Sequence, residues 1–124
     1  MARRAATVLT VQFDPLSLSF DTATCTLYVA GSVDEMSADM LRDALHRCMD
    51  QTTATLAVDL TDVSFLTSVG LGVLAAAMNR AAEAGSAVEL VAKAGSIAAK
   101  VLAICGLPHT IGASARSAVA EARS

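Results

Sequence analysis

Apolar and polar positions along the chain change their period near residue 34. Residues 7–13 are β-branched and apolar, which predicts a first strand, and Asp14-Pro15 interrupts it. Leu16-Ser-Leu-Ser-Phe20 alternates apolar and polar, the period of a strand with one buried face. Asp21-Thr-Ala-Thr24 reads as a turn and Cys25-Thr-Leu-Tyr-Val-Ala30 as the next strand, so the two predict an antiparallel hairpin. Gly31-Ser-Val-Asp34 reads as the end of that strand. The period then becomes helical. Ser37 is placed to cap a helix to about Asp50, with Met40, Leu41, Ala44, Leu45, Cys48 and Met49 on one stripe. Asp39, Arg42, Asp43, His46 and Arg47 make its wet face, with Asp43 and Arg47 in the favourable i,i+4 order.

Residues 52–55 read as a connector to a short buried strand, Leu56-Ala-Val58. Asp59 then opens a polar loop that ends where a second helix begins, near Ser68. That helix runs to about Ala84, and Gly85 stops it. Leu71, Leu74, Ala75, Met78 and Ala82 form the expected core stripe. Val69, Val73 and Ala76 fall on another face, so the helix is apolar nearly all round. Such a helix is either enclosed by its own domain or offers a patch to a partner, and partner binding is the expectation here. Ala87–Val91 predicts a third buried strand and Ile97–Cys105 a short helix, stopped by Gly106 with Pro108 beyond it. His109-Thr-Ile111 suits an edge strand and residues 114–123 a closing helix. Strand–helix alternation implies parallel strands. The expected fold class is α/β: one domain over residues 1–124, a mixed sheet of four to five strands with about four helices packed on it.

Composition narrows the function. The chain has 124 residues, 54% of them hydrophobic and 17% charged, which suits a single folded domain with an ample core. Its net charge is -3, and no basic run follows Arg3-Arg4, so nucleic acid is not an expected partner. The longest apolar run, Val69–Met78, is about half of the ~20 residues needed to cross a membrane, so no membrane insertion is expected. Three widely spaced cysteines, Cys25, Cys48 and Cys105, suit free thiols in a cytoplasmic protein, with a redox switch as the sharper alternative. No metal-ligand spacing occurs, and neither metal nor cofactor is expected.

Three chemical readings of the central stretch compete. Gly70-Leu-Gly-Val-Leu-Ala75 fits G-x-G-x-x-A, but a loop separates it from the strand and no acidic residue closes the next one, which argues against a dinucleotide site. Ser68, His109 and Asp34 or Asp59 could be assembled into a triad, yet no G-x-S-x-G elbow precedes the helix. Asp34, Asp59 and Asp62 are better read as turn and cap residues than as Mg²⁺ ligands. The hydroxyls of Thr67 and Ser68 stand where a helix N-terminus favours a phosphate, with apolar neighbours and no catalytic companion. A binding protein is therefore expected, not an enzyme.

These residues together resemble the STAS domain, in particular the stand-alone anti-sigma factor antagonists of bacteria. Gly31-Ser-Val-Asp34 is similar to the family's G-E-L-D element. Asp59-Leu-Thr-Asp-Val-Ser-Phe-Leu-Thr-Ser-Val-Gly-Leu-Gly-Val-Leu74 is similar to its central D-L-S-x-V-x-F-x-D-S-S-G-L-G-V-L. Val88-Glu-Leu-Val91 and Ile104-Cys-Gly-Leu107 follow in the family's order. The resemblance implies that Ser68 is phosphorylated and that the protein binds an anti-sigma factor, an ATP-dependent serine kinase, and so frees a sigma factor. A phosphatase would reset it, and a homodimer is another association to test. It implies an interface at Asp34, Thr67, Ser68, Val69, Gly70, Gly72, Val73 and Ala76. Thr67 stands where the family has Asp and Val69 where it has Ser or Ala, so Thr67 is an alternative phosphate acceptor. The alternative function is an accessory subunit of a membrane transport complex of the lipid ABC type, docking without phosphorylation.

Overall fold

Antiparallel pairing starts the sheet and parallel pairing finishes it. The computed structural model describes residues 8–13, 16–51 and 55–112, with backbone only for 8–13. β1 (Val8–Phe13), β2 (Leu16–Asp21) and β3 (Thr26–Val33) pair in antiparallel sequence. β4 (Leu56–Leu66), β5 (Val88–Ala92) and β6 (Thr110–Ile111) then add in parallel beside β3, so spatial order equals chain order. The sheet thus has six strands rather than the expected four to five. Three helices stand among the described residues rather than about four: α1 (Ala38–Asp50), α2 (Ser68–Glu83) and α3 (Ile97–Ile104). The break at Asp14-Pro15, most of the 52–55 connector and the helix expected over 114–123 lie outside the described residues.

Register puts one apolar set on one face. Leu18 pairs with Val29, Phe20 with Leu27, Leu27 with Val58, and Val58 with Leu90. All are buried, while Ser17, Ser19, Tyr28 and Ala30, their alternating neighbours, keep partial exposure. α1 and α2 pack against one another and against this sheet; α3 packs against β4. Leu41, Leu45 and Cys48 bury the inner face of α1. Gly85, at φ +81, closes α2: its amide donates to the Ala82 carbonyl at 3.1 Å and the Ser86 amide to that of Ala81 at 2.8 Å. These are the paired contacts of a glycine-ended helix.

Two expected strand ends are overrun. β3 continues through Gly31 to Val33, and β4 continues through the stretch read as a polar loop to Leu66. The reason lies in two irregularities of the β3–β4 ladder. Tyr28 pairs with Asp59 but Ala30 with Asp62; Gly31 pairs with Val63 but Ser32 with Phe65. Each shift places an extra residue in β4 and so breaks the inside–outside alternation. Leu60 and Thr61 are consecutively buried, and Ser64 and Phe65 consecutively exposed. The Asp59 carboxylate steadies the first irregularity, accepting from the Thr61 amide at 2.9 Å and its hydroxyl at 2.6 Å. Cys25 is also displaced from expectation. It sits in the β2–β3 turn at φ +52, not in the strand.

Candidate functional site

The carboxyl ends of β3 and β4 are tied together by one threonine. The Thr67 amide and hydroxyl both donate to the Val33 carbonyl, each at 3.0 Å. The same hydroxyl oxygen accepts from the Gly70 amide at 3.4 Å, which makes Thr67 the N-cap of α2. Gly70 is buried, and a Cβ there would stand 2.6 Å from Val33 Cγ1 and 2.9 Å from Leu66 Cδ1. Only a glycine lets the first turn of α2 lie so close on the strand ends. That replaces the dinucleotide reading with a packing one for Gly70. Gly72 is different: it is exposed, and a Cβ there would meet nothing within 4 Å.

The turn from β3 into α1 is held by Asp34 and Ser37. Asp34 Oδ1 accepts from the amides of Met36 at 3.0 Å and Ser37 at 2.9 Å, and stands 3.0 Å from Ser37 Oγ. These bonds, those from Ser37 foremost, hold the Asp34 carboxyl below the usual carboxylate range. Ser37 is fully buried; its hydroxyl accepts from the Asp34 amide at 3.0 Å and reaches the Ser32 carbonyl at 3.2 Å. Ser37 thus occupies the N-cap position of α1 without capping it by its side chain. Its oxygen is spent on the turn instead, which corrects the expected role. The turn projects Met36 outward at 79% exposure.

Ser68 is the first residue of α2, exposed, and its hydroxyl makes no hydrogen bond to any described residue. Phe65 (49% exposed) and Val69 (39%) flank it in sequence, and with Met36 they make three large apolar side chains that surface at this end of the sheet. Val73 does not join them. It is buried, as are Ala77 and Ala81, whereas Ala82 of the expected core stripe is exposed and Ala75 and Met78 are partly buried. A helix apolar all round gives little contrast by which to place its inner face. Of the expected interface, Ser68, Val69, Gly72 and Ala76 are exposed; Asp34 and Thr67 are partly buried in their own bonds; Gly70 and Val73 face inward. Met36 and Phe65 were not expected. The signal for each was a large apolar residue inside a polar stretch.

Among the described residues no hydrogen bond joins Ser68, His109 and Asp34 or Asp59. His109 Nδ1 lies 2.9 Å from the Leu107 carbonyl, and Asp59 is engaged with Thr61, so each serves its own segment. No group of three His, Cys, Asp or Glu residues placed to hold a metal ion occurs among the described residues. Cys48 and Cys105 carry free thiols; burial pushes the Cys48 thiol up to about 11, while Cys105 is exposed. Cys25 Sγ donates to the Thr22 carbonyl at 3.8 Å. No helix among the described residues is long and apolar enough to cross a membrane.

The chain belongs to the STAS domain family, whose model matches residues 16–122. An anti-sigma-B factor antagonist of Listeria monocytogenes is 37% identical over 57 residues, covering 46% of this chain and 50% of that protein. The homologue from Listeria innocua matches to the same extent. The chain spans about half the length of these curated relatives in the match. Among solved structures, an anti-sigma factor antagonist from Mycobacterium paratuberculosis superposes with a TM-score of 0.62 at 25% identity, covering 99% of this chain and 98% of that one. The anti-sigma factor antagonist SpoIIAA in its unphosphorylated form superposes at 0.61 with 18% identity, covering 96% of each chain. SiaC of Pseudomonas aeruginosa reaches 0.59 at 17% identity, over 86% of this chain and 98% of that one, and shares the fold.

Proposed function

We propose that this protein is an anti-sigma factor antagonist of the bacterial cytoplasm, which binds a kinase-type anti-sigma factor and is switched by phosphorylation of Ser68. The names of its relatives support the reading. The observation that carries it is the setting of Ser68: an exposed hydroxyl at a helix start, with no hydrogen bond to any described residue, among exposed Phe65, Val69 and Met36. A phosphate there adds about −1.5 to −2 charges at pH 7. The free fold tolerates that charge, because the helix N-terminus favours an anion. A close-packed apolar interface does not, because burying an unpaired charge is costly. The modification therefore acts on association, not on folding. Thr67 is the poorer acceptor, since its hydroxyl caps α2 and donates to Val33.

The test uses the kinase-type anti-sigma factors of the source organism. Incubation with ATP followed by mass spectrometry is expected to place phosphate on Ser68. Ser68→Asp is expected to weaken binding at least tenfold while leaving the melting temperature near wild type. Phosphate on Thr67 alone, or equal affinity of Ser68→Asp and wild type, would contradict the switch. Capture of transporter subunits in place of any anti-sigma factor would favour the accessory-subunit function instead.

A further inference from the structure

The exposed apolar residues of the candidate site lie in an unusually acidic part of the chain. Residues 34–43 and 59–72 carry Asp34, Glu35, Asp39, Asp43, Asp59 and Asp62, six of the chain's 12 carboxylates, and Arg42 alone of its 9 Lys and Arg. Even Arg42 is taken, its guanidinium lying 2.6 Å from Asp39. Parts of these segments meet at the carboxyl ends of β3 and β4, where Ser32 pairs with Phe65 and Val33 with Leu66, while Asp59 lies further back in β4 opposite Tyr28 and Asp62 lines a hollow with Lys93. Met36, Phe65 and Val69 surface within these segments. Gly72, one helical turn beyond Ser68, adds a separate oddity. Its φ is not positive and its missing Cβ relieves no clash. Glycine in a helix interior is less favourable than alanine, so the fold gives no reason for it.

From this juxtaposition we infer that the partner face is apolar at its centre and ringed by Lys and Arg, and that it approaches the α2 backbone at Gly72. The inference rests on the proposed anti-sigma reading and specifies the chemistry of that partner's surface. A second copy of this chain is disfavoured as the occupant, because it would set the acidic segments against each other. The two parts of the surface divide the kinetics. Charges around the patch accelerate encounter, an effect that salt removes. Met36, Phe65 and Gly72 act after encounter, through the tightness of packing, and so set the dissociation rate. A phosphate on Ser68 falls in the packed centre rather than the solvated ring, so a basic partner does not reward it.

The experiment follows association and dissociation of the full chain with the cognate kinase-type anti-sigma factor at about 50 and 500 mM salt, a range over which steered association falls steeply. Wild type is expected to associate at least about tenfold faster at the lower salt. Glu35→Lys with Asp62→Lys is expected to slow association about tenfold with little change in dissociation. Met36→Ser and Gly72→Ala are each expected to speed dissociation about tenfold, with the melting temperature of Gly72→Ala no lower than wild type. Ile104→Ser, which removes an equally exposed apolar residue at the far end of α3, is expected to bind as wild type. Salt-independent association, or wild-type dissociation in both Met36→Ser and Gly72→Ala, overturns the inference while leaving the anti-sigma reading intact. A wild type that binds no anti-sigma factor, or that pairs with itself through this face, overturns it by removing the partner.

Discussion

Gly70→Ala tests the claim that α2 is held against the strand ends by backbone proximity. The added methyl would stand 2.6 Å from Val33 Cγ1 and 2.9 Å from Leu66 Cδ1, both too close. Leu66 can yield by rotating a chain end. Val33 cannot do so cheaply: it is β-branched, fully buried, and its carbonyl already holds the Thr67 amide and hydroxyl. Overpacking of a filled core costs about 1–3 kcal/mol, and a rigid neighbour puts this site toward the upper end. The helix gains at most about 1 kcal/mol from replacing glycine by alanine. The net expectation is a loss of about 1–2 kcal/mol, or a melting temperature lower by about 4–8 °C for a domain of this size. With no Trp and one Tyr in the chain, far-UV circular dichroism during urea unfolding is the suitable probe. Val33→Ala should itself destabilise through lost burial, but combined with Gly70→Ala it removes the closest clash. The double mutant is therefore expected to be more stable than the two single losses sum to. Gly70→Ala at or above wild-type stability, or strict additivity with Val33→Ala, would refute the packing argument.

Two further outcomes follow from titrating groups. The Asp34 carboxyl sits below its ordinary 3.8 in the fold, so its contribution is complete above that pH and fades as pH falls through the folded value. Asp34→Asn should melt below wild type at pH 7, with the gap closing below pH 3.8; a gap unchanged down to pH 2 would contradict the assignment. The Cys48 thiol, raised to about 11 from 9.0, stabilises the fold below pH 9 and loses that contribution as pH rises toward 11. At pH 8 a thiol reagent should therefore label exposed Cys105 while Cys48 stays protected until unfolding. Cys105→Ser should abolish the labelling of that residue without exposing Cys48, and rapid native-state modification of Cys48 would show the α1 packing to be wrong.

Legibility in the sequence tracked how regular each element is. α1 was readable because Leu41, Leu45 and Cys48 alternate with a charged face, and the buried residues fall on that stripe. β2 was readable because Leu16, Leu18 and Phe20 alternate with serines and aspartate, and the burial follows. β4 was not, because Asp59-Leu-Thr-Asp-Val-Ser-Phe carries two extra residues against β3, and a period-two search loses the strand at the first of them. The inner face of α2 was misplaced for the opposite reason: too many apolar residues, so that Val73 and Ala82 could be exchanged without disturbing the pattern. The two failures have different causes, an irregular strand and a helix with too little apolar contrast, and both touch the elements that carry the candidate site. Exposed Phe65 and Val69 and the clash-free Gly72 are not what a solvated strand end and helix start need for folding, and the proposed partner surface would account for them. On the proposed reading, part of the sequence from Asp59 to Ala76 answers to a partner rather than to the fold.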